Sequence, residues 1–192
     1  MSLNAAPPRI ILETDRLRIR SWIEGDRDLF REINADPKVM EYFAFRRSHA
    51  ESDALLDKLN ASIRHTGFGF YALELKEASE PIGFYGLSLA NMPDIFPIET
   101  VEIGWRLATR FWGHGYVTEA ARALLDFAFT SKDIPAVLAF AVADNRRSTA
   151  VMERIGMTRC PQMDFEHPRV PDTHPHLKRH AVYAAVSDRV AS

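Results

Sequence analysis

The chain is short of what disulfide-stapled, membrane-spanning and nucleic-acid-binding proteins need. It has one cysteine, Cys160, in 192 residues, so no internal disulfide can form. No stretch approaches the ~20 consecutive apolar residues that cross a bilayer. Its 24 basic and 26 acidic residues leave a formal net charge of −2, without the basic excess on which phosphate-tracking nucleic-acid binders depend. The start, Met1-Ser2-Leu3-Asn4-Ala5-Ala6-Pro7-Pro8, lacks the basic head and apolar run of a signal peptide and reads as a loose leader over 1–8. Internal repeats, low-complexity tracts and a mid-chain Pro/Gly/Ser linker are all missing. These absences predict a soluble cytoplasmic protein with no membrane and no nucleic-acid partner.

Core material is plentiful. With 46% hydrophobic and 10% aromatic residues, a chain of this length buries roughly 70% of its unfolded surface, which predicts one domain spanning 1–192. Leu17 and Ile19 alternate with Arg16, Arg18 and Arg20, marking a strand from Ile10 to Trp22 with its arginine face in water. Asp26 is placed to cap a helix through Leu29, Phe30 and Ile33, which Asp36-Pro37 interrupts before a turn through Tyr42. Leu55, Leu56, Leu59 and Ile63 form one stripe of a helix over 49–65, stopped by Gly67. Apolar runs over 68–75 and 82–90, joined at Ser79-Glu80-Pro81, read as an antiparallel hairpin. Val101, Ile103, Trp105 and Leu107 alternate with Glu102, Gly104 and Arg106 in a strand over 100–108. A helix over 116–129, a strand over 137–142, a helix over 148–155 and a strand over 180–186 complete a mixed α/β order, β-α-α-β-β-β-α-β-α-β.

The chemistry concentrates in Arg110-Phe111-Trp112-Gly113-His114-Gly115-Tyr116, where a strand ends and a helix begins. Glycine at 113 and 115 permits torsions that aim successive amides into one concavity at the helix's positive end, an anion cradle. A plain tight turn would use the same two glycines. The dinucleotide fingerprint G-x-G-x-x-G fails because Thr118 stands at the third glycine, and the chain has no G-K-[ST] for a P-loop. A different phosphate-bearing ligand is implied.

Arg110 to Gly115 resembles the R/Q-x-x-G-x-G/A signature of the GNAT N-acetyltransferases, whose loop amides hold the pyrophosphate of acetyl-coenzyme A. Leu12-Glu-Thr-Asp-Arg-Leu-Arg, Glu102-Ile-Gly-Trp, Trp112-Gly-His-Gly-Tyr-Val-Thr-Glu-Ala and Asn145-x-x-Ser148 through Ile155-Gly156-Met157 follow in the order of the RimJ/RimL-like branch. The resemblance implies the GNAT acyl-CoA N-acyltransferase fold, a splayed central mixed sheet with helices on both faces. It also implies transfer of acetyl from acetyl-coenzyme A, a co-substrate, to a primary amine by direct attack on the thioester. The acceptor is either a protein N-terminus or a small molecule, chosen by the loops around 42–49 and 91–99. An acetyl-coenzyme-A-binding sensor or scaffold with little or no transfer is the alternative, and a homodimer is left open.

By the same resemblance, the Leu107 backbone meets the pantetheine arm and Arg110, Phe111, Trp112, Gly113, His114, Gly115 and Tyr116 surround the phosphates, Arg110 more through its amide than its side chain. Trp112 also reads as a wedge that fixes the turn. The Asn145 amide can donate to and accept from pantetheine, or simply turn the chain into the next helix. Ser148 is either a proton donor to the departing thiolate or an ordinary first-turn residue. Glu102 is the candidate general base, or a solvated residue on a polar strand face. One departure stands out: where many GNAT enzymes carry a tyrosine acid, this chain reads Val151-Met152. Arg146, Arg147 and Arg154 are candidates for the coenzyme's 3′-phosphate, or solvated helix charges. His167, His174, His176 and His180 fit no zinc spacing, so no metal is expected. Their stretch is read as shaping the acceptor pocket or an edge contact.

Overall fold

Thr14 divides the first expected strand in two. Its amide donates to the Leu17 carbonyl at 2.9 Å and its hydroxyl accepts from the Leu17 amide at 3.1 Å, closing a turn between β1 (Ile10–Glu13) and β2 (Leu17–Arg20). The computed structural model describes residues 7–187, so the leader expected over 1–8 falls mostly outside the described residues. Within them lie nine strands and four α-helices.

Helix α1 (Arg27–Ala35) starts at Asp26, whose carboxylate does not cap it but holds Arg20 instead. Helix α2 (His49–Thr66) has the reciprocal start that its sequence offers: Ser48 Oγ accepts from the Glu51 amide, and the Glu51 carboxylate accepts from the Ser48 amide. Strands β3 (Gly69–Leu75) and β4 (Glu80–Leu89) form the hairpin, with Glu80 and Pro81 already inside β4, so the turn falls earlier than expected. β5 (Val101–Leu107), α3 (Tyr116–Ser131) and β6 (Ala136–Val142) follow. Helix α4 (Arg146–Arg154) begins two residues before the expected start because Asn145 caps it, its Oδ1 accepting from the Ser148 amide at 3.2 Å. Short β7 (Thr158–Arg159) and β8 (Phe165–Glu166), which no pattern announced, pair with β9 (Arg179–Val186).

The sheet runs β1-β2-β3-β4-β5-β6-β9-β7, with β8 also on β9. Every pairing is antiparallel except β5 with β6. That parallel pair is short: Val101 opposes Val137 and Glu102 opposes Leu138, and beyond this rung the strands diverge. Residues 103–107 of β5 and 139–142 of β6 therefore border a wedge. α1 and α2 pack together, with Phe30 of α1 against Phe84 at 5.9 Å between ring centroids, while α3 and α4 face Trp105 on the opposite side. Ala120, Ala121 and Ala128 let α3 lie close to the strands. A second cluster of Met92, Phe96, Leu138 and Val182 fills the far end of the sheet.

The arginine face of β2 does not all meet water. Arg20 is 1% exposed, forked onto both oxygens of Asp26 at 2.7 and 2.9 Å and bonded through Nε to Glu74 at 2.5 Å. β2 lies inside the sheet, flanked by β1 and β3, so one of its faces is closed even where its residues are charged. Among the described residues no helix is long and apolar enough to cross a membrane.

Candidate active site

The wedge opens into two adjoining cavities. The larger, about 1000 Å³, runs between β5, the loop after it, and the first turns of α3 and α4. The smaller, about 330 Å³, lies on the α1 side, walled by Glu102, Arg106, Phe140, His167 and His180. They share Val39, Tyr42, Trp105, Arg106, Asn145 and Ser148. A molecule in one can thus meet a molecule in the other at the mouth of α4.

Both expected glycines take the left-handed conformation, Gly113 at φ +82° and Gly115 at φ +78°. Gly115 is the N-cap of α3 and has no side chain with which to satisfy the helix's first amides. Among the described residues, no group accepts a hydrogen bond from the amides of residues 113 to 118. A row of unmet N–H groups at the positive end of a 16-residue helix is a site for an anion. Arg16, Arg122, Arg147 and Arg154 stand around the same cavity.

Of the residues expected here, Leu107, Phe111, Trp112, Gly113, Gly115, Tyr116, Asn145 and Ser148 line the larger cavity. Arg110 and His114 do not. The Arg110 guanidinium turns to Glu32 of α1 and lies over the Phe111 ring, and the His114 ring stacks on Tyr116 at 5.4 Å. Trp112 is a wedge against the core whose indole N–H donates to the Leu107 carbonyl at 2.9 Å, so that carbonyl is already partly engaged. Asn145 spends its oxygen on capping α4, which leaves its NH2 group for a ligand. Arg147 and Arg154 line the cavity while Arg146 does not. Arg16 was not singled out in the sequence beyond its strand pattern. It is held by Glu119 at 2.6 Å and donates to the His114 carbonyl at 3.1 Å, tying the first turn of the chain to the glycine loop. Burial raises the Glu119 carboxyl, but hydrogen bonds from Thr14 and Arg16 outweigh it and keep it below the usual range.

In the smaller cavity Glu102 sits on the last rung before β5 and β6 part. Its carboxylate accepts from the Ser88 hydroxyl at 2.9 Å across the β4–β5 pair. Burial pushes its pKa up, against the Ser88 hydrogen bond and the more distant Arg169 charge. The side chain is half-buried and lines the cavity. Nearby, burial with the adjoining His180 and Arg169 pulls His167 down to about 4. Burial lowers His180 too, against the hydrogen bond to the Lys178 carbonyl. Both rings are therefore neutral near pH 7, leaving Glu102 and Arg106 as the charged groups of this wall. Val151 faces the larger cavity and Met152 the smaller, so no phenol stands at this turn of α4.

Residues 16–158 match the acetyltransferase (GNAT) domain family. The chain belongs to the GNAT acetyltransferases. It is an acetyl-coenzyme-A-dependent N-acetyltransferase, and its splayed mixed sheet is the GNAT fold. It is similar to the FsC-acetyl coenzyme A-N(2)-transacetylase of Aspergillus fumigatus, with 29% identity over 82% of this chain and 68% of that one. An acetyltransferase structure from Agrobacterium tumefaciens superposes with a TM-score of 0.71 at 28% identity, covering 95% of each chain. RimL, a ribosomal alpha-N-protein acetyltransferase in complex with coenzyme A, shares the fold with a TM-score of 0.74 at 17% identity, over 94% of this chain and 99% of that one. This GNAT chain thus has RimL among its structural neighbours, as the RimJ/RimL-like order of its motifs implied.

Proposed function

We propose that the chain moves an acetyl group from acetyl-coenzyme A, held in the larger cavity, to a primary amine that enters from the smaller one. The observation that carries this reading is the meeting of the two cavities at Asn145 and Ser148, with unmet loop amides at one end and a half-buried carboxylate at the other. The donor brings an activated acyl thioester. The amides of 113–118 and the surrounding arginines hold its diphosphate, the free edge of β5 aligns its extended arm, and the Asn145 NH2 group orients an amide of that arm.

An amine attacks only when neutral, and Glu102, with its basicity raised by burial, removes the proton directly or through water. Neutral His167 and His180 add no cation to repel an incoming ammonium. Ser148 supplies a proton to the departing thiolate, a modest task for a good leaving group, so the missing phenol at Val151-Met152 is tolerable. The reading takes the whole chain as one cytoplasmic domain whose acceptor is a protein N-terminus or a small amine.

Thiol release from acetyl-coenzyme A across an amine panel tests the reading. Glu102→Gln is expected to lower kcat/KM by about a hundredfold or more, the usual share of a general base. The wild-type rate climbs with pH through the raised Glu102 pKa as the base form appears, and the variant loses that climb. Full turnover in Glu102→Gln at every pH removes the residue from the mechanism. Coenzyme binding without amine-dependent thiol release would instead favour a binding-only sensor.

A further inference from the structure

The smaller cavity contains a cation that no carboxylate pairs with among the described residues. Arg106 follows Glu102 by four residues on β5, so both side chains lie on one face, with Gly104 between them. Its Nη1 donates to Asn34 Oδ1 at 2.8 Å, and Phe43 and Phe84 lie 4.2 and 5.1 Å from its Cζ. These partners are all uncharged. Among the described residues Arg106 makes no ion pair, and its Nε and Nη2 make no hydrogen bond. The charge that acts on it is a second cation, Arg47, whose Nε is itself buried without a partner. Glu51, the acid that feels Arg47, is engaged in the cap of α2 with Ser48. Burial and the Arg47 charge together pull Arg106 down to about 9.

A half-buried guanidinium that feels a second guanidinium, in a chain of net charge −2 with acids to spare, is an arrangement folding alone does not favour. Among the described residues other arginines satisfy that preference with carboxylates, Arg20 with two of them. Nε and Nη2 form the side edge of the guanidinium, whose two parallel N–H groups match two oxygens of a carboxylate or phosphate. We propose that the acceptor amine carries an anionic oxygen group, a carboxylate or a phosphate, which docks on the Nε–Nη2 edge of Arg106 while the amine lies toward Glu102. The inference rests on the smaller cavity being the acceptor side. It makes Arg106 the group that selects the acceptor, and the cavity of about 330 Å³ suits a small molecule or the first residues of a peptide.

Matched acceptors test this. β-Alanine is compared with β-alaninamide, and phosphoethanolamine with ethanolamine, by thiol release with the full-length protein; each pair differs in the anion alone and the two pairs separate carboxylate from phosphate. In the wild type at least one anionic member is expected to be preferred by roughly tenfold to a hundredfold in kcat/KM, the value of a hydrogen bond to a charged group. In Arg106→Gln the ratio falls to near one, and Arg106→Lys regains part of it. The ratio is taken within one preparation, so a partly unfolded variant does not blur it. Ratios near one for both pairs in the wild type, or an undiminished preference in Arg106→Gln, overturn the inference while acetyl transfer to the neutral amines leaves the proposed function standing. If calorimetry shows acetyl-coenzyme A bound and no amine of either charge is acetylated, the proposed function fails and this inference fails with it.

Discussion

Gly115→Val is expected to weaken acetyl-coenzyme A binding about a hundredfold, as if one hydrogen bond to a charged group, worth about 1.5–3 kcal/mol, were lost. Gly115 sits at φ +78°, where a β-branched residue is strained by about 1–2 kcal/mol, and a side chain there points toward Arg16 Nη2, 3.7 Å from the added carbon. Either the turn opens, and the amides of 113–118 lose their common direction, or the valine holds the strain and crowds the arginine beside the anion. Both routes act on the diphosphate end of the donor and leave the smaller cavity intact. Gly25→Ala is the control, since its added carbon meets nothing within 4 Å and its φ is not in the left-handed range. Titration of acetyl-coenzyme A and of free coenzyme A by calorimetry reads both variants. Wild-type affinity in Gly115→Val would remove the amide cradle from the account.

That loop was legible because its signal is local. Two glycines two residues apart, between a period-2 run and a 3.6-period run, require a left-handed turn at a helix start whatever the rest of the chain does, and both have it. The helices α2 and α3 were legible for the same reason: the stripe from Leu55 to Ile63 with its stop at Gly67, and the apolar period over 116–129, declare themselves within a few turns. The small cavity was not. Its wall takes Phe43 from the segment after α1, Phe70 and Phe84 from the hairpin, Glu102 and Arg106 from β5, Phe140 from β6 and two histidines from either end of the last connection. What brings them together is the rung at which β5 and β6 stop pairing, and no residue pattern announces where a parallel pair ends.

Alternation shows which residues share a face but not what covers that face. Arg106 and Glu102 were read correctly as one side of β5, yet the cover over Arg106 comes from α1 and the segment after it. The segment over 91–99, expected to help choose the acceptor, buries Met92 and Phe96, with Phe96 stacked on Phe140 at 5.6 Å behind the pocket wall. The aspartate at 26 was read as a helix cap because such residues usually are, but Arg20, six residues earlier, offers it two charged donors where α1 offers single amides.

Arg20→Met is for this reason expected to be the most damaging single change to stability, about 3–5 kcal/mol, because it leaves Asp26 buried with no counter-ion and Glu74 with Arg18 alone. For a chain of this size the midpoint of thermal unfolding should fall by roughly 10 °C. Asp28→Ala removes the exposed partner of Arg31 and should cost no more than about 1 kcal/mol. The two substitutions differ in burial rather than in the type of bond, so their comparison isolates what enclosure adds. If the Arg20 loss reflects stranded carboxylates, then Arg20→Met combined with Glu74→Leu and Asp26→Leu recovers much of it, since an all-apolar replacement strands no charge. The recovery should be incomplete in one respect. Asp26 also accepts from the Ile23 amide at 2.9 Å, which sets where α1 begins, and α1 carries the Asn34 that holds Arg106. The triple variant is thus expected to regain most of its unfolding free energy while keeping a reduced preference between anionic and neutral acceptors, read by the same matched pairs. A triple variant as unstable as Arg20→Met alone would mean that the arginine acts through its packing and not through its charge.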